Sequence, residues 1–196
     1  MSTIDKTLQA LVGPEYLALA DVLDAMDPAG WDTPSLCAGW RVREVVAHMT
    51  MAVRYSEEDF MAELRDCEFD FTRLSNRVAT RDAELPTADL LAHLRSDVMQ
   101  TWTPPGGGYA GALNHVVVHS LDVTVPLGRG RVTSDHALGA VLDGLTAGGV
   151  HEHFGTDIGG LQLVATDLEW SHGEGTAVRA SGQDLVLMLT GRLSLS

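Results

Sequence analysis

Apolar residues recur at three- and four-residue steps over most of the first 150 positions, a pattern that predicts amphipathic helices. One helix is predicted over 3–26, with Gly13-Pro14 kinking or splitting it, and a second long helix is predicted over 41–65. The segment 69–83 is polar and weakly periodic, so it predicts only a short helix or an ordered loop. The first part of the chain therefore favours a helical bundle.

Further helical stretches follow the same rule. A third helix is predicted from Thr87 to Trp102, a fourth over 110–125, and another after Ser134, which can cap it. The run of Pro and Gly at 104–108 separates the third from the fourth. Four or five helices thus precede the last third of the chain, and we assign residues 1–155 to a helical bundle.

The last third of the chain changes character. Residues 161–166 and 176–180 are short and β-leaning, with turn-rich residues between them, which predicts a hairpin. Ser181 can cap a final short helix. We therefore predict a mainly α fold whose residues 156–196 form a small C-terminal α+β domain, a hairpin plus a helix.

Composition narrows the class of partner. The 196 residues include 13 Lys and Arg against 27 Asp and Glu, a net charge of −14, and 45% are hydrophobic. Such a chain can bury a core, but its charge argues against binding to nucleic acid or to an anionic membrane. With two cysteines, no secretion signal and no apolar run of membrane-spanning length, a cytoplasmic protein with a small-molecule partner is expected.

Three histidines are the strongest candidates for chemistry. His115 and His119 are four residues apart in a predicted helix, so both imidazoles lie on one face. His48 lies beside the apolar stripe of another helix, where an imidazole without a partner is costly to bury. Three neutral imidazoles with an open fourth position are typical of a catalytic zinc site. The alternative is that all three are ordinary core histidines.

Asp122 has two interpretations. It lies three residues after His119, so it can brace a ligand imidazole through the other ring nitrogen. It can equally pair with Arg41 or Arg43. The spacing leaves both alternatives open.

Two other groups are weaker candidates. His151 and His153 resemble a metal clip, but residues two apart on a helix point to different faces. Cys37 precedes a predicted helix, yet no second Cys or His accompanies it in sequence. We interpret Cys37 as a packed, structural cysteine.

Four motifs, in order along nearly the whole chain, resemble the mycothiol-dependent maleylpyruvate isomerase family of DinB-like metalloproteins. They are SLCAGWRVREVVAH at 35–48, HSLD at 119–122, ATDLEW at 165–170 and LTGR at 189–192. The first motif is fairly specific for this family. The other three are less specific individually, but they occur in the same order as in the family. The resemblance implies a DinB-like four-helix bundle that holds a divalent metal, with a small C-terminal αβ domain.

The resemblance also implies a ligand set. The first and last metal histidines of the family correspond to His48 and His119. Arg192 matches a family arginine that serves the active site, where it can hold a substrate carboxylate. The alternative is that Arg192 caps the C-terminus of the last helix. The chain departs from the isomerases at His115, where they usually have Glu, and resembles the three-histidine branch instead. Three neutral ligands leave a divalent metal site with a net charge of about +2, whereas a Glu ligand would lower it to about +1. The resemblance therefore does not by itself imply the isomerase reaction for this chain.

The function implied by the family is a metal-dependent enzyme that uses mycothiol. The metal, zinc first and nickel, iron or manganese as alternatives, activates the thiol toward a small electrophile, giving S-transfer or isomerisation. A metal-dependent hydrolase on the same fold and a non-catalytic protein that sequesters a metal or small ligand are the competing hypotheses. A homodimer is compatible with each.

Overall fold

The described residues, 2–148 and 154–195, form a mainly helical fold with a small sheet near the C-terminus, as seen in a computed structural model. The helices are α1 (Thr3–Asp24), α2 (Val42–Met49), α3 (Met51–Arg54), α4 (Glu57–Asp66), α5 (Phe71–Asp82), α6 (Thr87–Leu94), α7 (Asp97–Thr101), α8 (Gly108–Thr124), α9 (Asp135–Thr146) and α10 (Gly182–Leu189). The strands are β1 (Leu161–Ala165), β2 (Ser171–His172) and β3 (Thr176–Ala180).

Four helices pack in a ring around the main core. α1 contacts α8, α8 contacts α2, α2 contacts α6, and α6 returns to α1. Their inward faces are fully buried and aliphatic, as at Val12, Leu19, Val45, Leu90 and Leu113. Removing this apolar surface from water is the main term that holds the helices together. The predicted mainly α fold with a four-helix bundle and a C-terminal appendage is confirmed.

The first helix runs without interruption through Pro14, so the predicted split at Gly13-Pro14 is wrong. Proline removes one backbone hydrogen bond, but Val12 and Tyr16 on either side are buried against the bundle and keep the segment helical. Ser2 begins the helix by accepting a hydrogen bond from the backbone N–H of Asp5 at 3.1 Å.

The predicted second helix over 41–65 is three helices. It breaks at Thr50 (φ −108°, ψ 19°) and again before Ser56, whose hydroxyl accepts from the backbone N–H of Asp59 at 3.1 Å. The Asp59 carboxylate accepts from the N–H of Ser56 at 3.2 Å, which completes a capping box. A local capping motif thus outweighs the continuous apolar periodicity.

One other helix prediction needs correction, and one open alternative is decided. The predicted third helix is divided, because Ser96 caps a new helix, α7, after α6 has ended at Leu94. The segment 69–83, for which a short helix or a loop was expected, is the 12-residue helix α5, capped by Asp70.

The sheet corrects the predicted hairpin. β1 pairs in parallel with β3, so that Leu163 lies opposite Val178, and it pairs antiparallel with the short β2, where Leu163 lies opposite His172. The strand order is β2-β1-β3. The segments 161–166 and 176–180 are therefore neighbours in one sheet, but the hairpin joins β1 to β2.

Two glycines allow the connection from β2 to β3 to pass close to the backbone at the start of β1. Gly173 and Gly175 have φ of +80° and +130°. A Cβ at Gly173 would lie 2.4 Å from the carbonyl oxygen of Leu161, and one at Gly175 would lie 2.1 Å from that of Gly160. Only glycine combines this backbone conformation with so close an approach.

The C-terminal elements pack on the bundle through α10, which contacts α8 and α9. Leu163 of β1 and Leu185 of α10 belong to the same buried cluster as the bundle residues. The division at residues 155 and 156 stays a prediction. No helix in the described ranges has the length and apolar character needed to span a membrane.

Candidate functional site

Three predicted histidines meet inside the bundle. His48 comes from α2, and His115 and His119 from α8. One nitrogen of each ring lies within 4.8 Å of the corresponding nitrogens of the other two, and the ring centroids are 4.8 to 5.2 Å apart. The i, i+4 spacing on α8 and the packing of α8 on α2 together produce this cluster.

Burial keeps two of the imidazoles neutral. Burial, followed by the nearby His119, lowers the pKa of His48 to about 3. Burial and the other two rings place the pKa of His115 well below its usual range. At neutral pH these rings therefore offer lone pairs and carry no charge of their own.

The cluster suits a divalent cation of the zinc type. The Nε2 atoms of His48 and His115 are 3.4 Å apart. Two ligands about 2.0 to 2.1 Å from a tetrahedral zinc ion lie roughly 3.3 to 3.4 Å from each other. Neutral imidazoles also suit nickel and iron, so the donor set restricts the metal but does not select one.

Asp122 orients His119. Its Oδ2 lies 2.9 Å from Nδ1 of His119, and its side chain is fully buried. Burial alone raises the pKa of Asp122, but hydrogen bonds from Arg192 and His119 outweigh it and hold that pKa below its ordinary value. An ionised carboxylate only accepts, so Nδ1 of His119 donates and Nε2 keeps its lone pair for the cluster. Of the two interpretations of Asp122, the structure shows bracing, with Arg192 and not Arg41 or Arg43 as its cation.

Arg192 binds Asp122 with one edge of its guanidinium. Its Nε donates to Oδ1 at 2.6 Å and one terminal nitrogen donates to Oδ2 at 2.9 Å. The other terminal nitrogen donates to the carbonyl of Thr190 at 2.9 Å, at the end of α10. The C-terminal appendage thus supplies a residue to the centre of the bundle, and the bidentate fork expected for a substrate carboxylate is already engaged.

Tyr16 and Trp102 also contact the cluster, and sequence reasoning missed both. The hydroxyl of the buried Tyr16 lies 3.3 Å from Nδ1 of His115, and the Trp102 ring packs edge-on against His115 with centroids 5.3 Å apart. A buried tyrosine needs a partner for its hydroxyl, which was the available signal. The partner, 99 residues away in sequence, was not visible from the pattern.

Cys37 is half-buried beside the same network. Its thiol donates to Oδ2 of Asp122 at 3.1 Å and lies 3.9 Å from Nδ1 of His119. Burial, followed by the negative charge of Asp122, raises the pKa of the thiol to about 12. Cys37 is therefore a neutral hydrogen-bond donor. Cys37, His119 and Asp122 are close enough to form a second ligand group, but Arg192 already neutralises the carboxylate there.

The histidine cluster lies against a cavity of about 970 Å³. His48, His115, His119 and Arg192 line one part of it, and apolar side chains line much of the rest. This volume is at the upper end of the range for small-molecule sites. His151 and His153, the weaker metal candidates, lie outside the described residues.

These features define the class: a helical-bundle protein with a three-histidine cluster beside a cavity of small-molecule size. Residues 12–103 match the family described as mycothiol maleylpyruvate isomerase N-terminal domain. This match, over slightly less than half of the chain, agrees with the resemblance drawn from the motifs.

Two solved structures extend the similarity over the whole chain. One is the crystal structure of the mycothiol-dependent maleylpyruvate isomerase, at 16% identity and a TM-score of 0.60, which covers 99% of this chain and 93% of that one. The other is a histidine-to-alanine mutant of the mycothiol-dependent maleylpyruvate isomerase, at 15% identity, a TM-score of 0.59 and the same coverage. At such identity the likeness establishes the fold. A search among curated proteins found no match.

Proposed function

We propose that this protein is an enzyme that brings a low-molecular-weight thiol, mycothiol, and a small electrophile together at a divalent-cation site formed by His48, His115 and His119. The observation that carries the proposal is the convergence of these imidazoles beside a cavity large enough for both reactants. The family of residues 12–103, whose description names mycothiol, supports the choice of thiol. The reaction is S-transfer to the electrophile or its isomerisation with release of the thiol.

The chain's own residues prepare the site in three ways. Asp122 fixes the tautomer of His119, while burial keeps His48 and His115 neutral. Apolar side chains on the cavity wall lower the local polarity, which strengthens electrostatic interactions within the site. When bound, a divalent cation would lower the pKa of a thiol so that a nucleophilic thiolate forms near neutral pH.

Arg192 has a positioning role in this proposal. Its bidentate pair with Asp122 keeps that carboxylate ionised, which in turn keeps His119 in the tautomer required of a ligand. Two of its N–H groups are not used by the contacts to Asp122 and Thr190, and the side chain lines the cavity. Contact with a bound reactant through those groups is compatible with the same geometry.

The thiol role can be tested without knowing the substrate. Protein loaded with one equivalent of Co²⁺ is titrated with mycothiol and, as the matched control, with S-methyl mycothiol. We expect a new near-ultraviolet thiolate-to-cobalt charge-transfer band with the free thiol only. A hydrolase or a sequestration protein has no need of the thiol, so equal spectra with both compounds would overturn the proposal.

Tyr16→Phe is expected to weaken Zn²⁺ binding by about tenfold, because Nδ1 of His115 loses the hydroxyl that orients its ring. The measurement is competition with a chromophoric zinc chelator at neutral pH. Tyr109→Phe is the control, since it removes a hydroxyl from a tyrosine of α8 that does not line the cavity. Equal zinc affinity in the two variants would contradict a role for Tyr16 at the site.

A further inference from the structure

The wall of the cavity is strongly apolar. Side chains from five helices and from the end of one of them form it, including Met51, Phe60, Phe71, Val98, Trp102 and Val118. Phe60 and Phe71 come from α4 and α5, and their rings also contact each other, with centroids 6.5 Å apart. A molecule in contact with this wall exchanges water for aromatic and aliphatic carbon.

Charges on the described part of the lining are few and do not suit an anion. The formally charged side chains there are Glu57, which is exposed, and Arg192. The charge of Arg192 is balanced by the buried Asp122, since one edge of its guanidinium donates to both oxygens of that carboxylate. Each charged group of a dicarboxylate is best balanced by a cation, and beyond the histidine cluster the one formal cation of this described lining is a guanidinium that is already paired.

We propose that the electrophile of this protein is an uncharged, apolar molecule, aromatic or with an unsaturated carbon skeleton, and not a dicarboxylate. The reaction of that molecule rests on the function proposed above, but its binding preference rests on the cavity wall and on the Asp122–Arg192 pair alone.

Two unreactive probes with the same ring separate charge from shape: dimethyl phthalate and the phthalate dianion. Each is titrated by calorimetry into zinc-loaded protein at pH 7.5 without thiol. We expect the ester to bind at least about tenfold more tightly than the dianion. Tighter binding of the dianion would overturn the inference, and so would equal affinities.

A pair of variants tests whether the wall causes the preference. Val98→Arg places a guanidinium on the wall, at a partly exposed position where it can be accommodated, whereas Ile4→Arg adds the same charge at a 71% exposed site that does not line the cavity. Val98→Arg is expected to raise the affinity for phthalate by about tenfold, and Ile4→Arg to leave it unchanged. Equal gains in both variants would assign the preference to the overall charge of the protein and overturn the inference.

The two proposals fail separately. If the protein prefers the ester but shows no cobalt–thiolate band, the apolar ligand site is supported and the proposed thiol-dependent activity is contradicted. If the protein shows a cobalt–thiolate band but prefers the dianion, the thiol-dependent activity is supported and the apolar substrate class is contradicted.

Discussion

The Asp122→Ala variant is expected to lose about 3 to 5 kcal/mol of unfolding free energy. Asp122 is fully buried and accepts hydrogen bonds from Arg192, His119 and Cys37. Its removal leaves the guanidinium of Arg192, whose side chain is only 17% exposed, without its counter-charge. Chemical denaturation at neutral pH, with parent and variant measured side by side, gives the difference.

A surface ion pair provides the matched comparison for Asp122. Asp32 also pairs with an arginine, Arg41, at 2.8 Å, but its side chain is 57% exposed. Asp32→Ala should therefore cost less than about 1 kcal/mol. Adding Arg192→Gln to Asp122→Ala should restore part of the lost stability, since the uncompensated buried charge is then gone. Similar losses for the two single variants would show that Asp122 does not stabilise the bundle in the way described.

The His115→Ala variant is expected to lose its divalent metal. We expect about one metal ion per chain in the parent, and a loss of affinity on the order of 10²- to 10³-fold in the variant, because one of three protein ligands is removed. Elemental analysis after dialysis gives the stoichiometry, and chelator competition gives the affinity.

His136→Ala is the control for His115→Ala. His136 is an exposed histidine in the first turn of α9, outside the cluster, so its removal should leave the metal content unchanged. Undiminished metal in His115→Ala would contradict the proposed ligand set and would direct attention to His151 and His153.

Helix-forming segments could be predicted along most of the chain, but several of their ends could not. Apolar residues at helical spacing depend on nothing beyond about two turns, so α1, α8 and α9 were visible in the pattern. The breaks at Thr50, Ser56 and Ser96 were not predicted, because the apolar periodicity continues across all three. Ser56 and Ser96 accept capping hydrogen bonds through their side chains, whereas Thr50 does not. At Ser56 and Ser96, the capping hydrogen bonds determine where a helix begins, and the apolar stripe does not.

Strand pairing was beyond what the pattern could decide. The turn-rich segment after β1 correctly predicted that the chain reverses there. The predicted partner of β1 in the hairpin was β3, whereas the structure has β2. A two-residue strand such as β2 has no distinct signature. The crossing below β1 depends on Gly173 and Gly175, whose role becomes visible only when Leu161 and Gly160 are seen beside them.

The chain alone was sufficient to select His48, His115 and His119, because i, i+4 spacing and an imidazole beside an apolar stripe are local features. The contacts that make these rings a site join positions far apart: Tyr16 reaches His115 across 99 residues, and Arg192 reaches Asp122 across 70. Periodicity carries no information about such pairs, since they form only when α1, α8 and the C-terminal appendage pack together. The tertiary structure therefore decided which residues orient the histidines, and how much of the charge of Arg192 is left for a ligand.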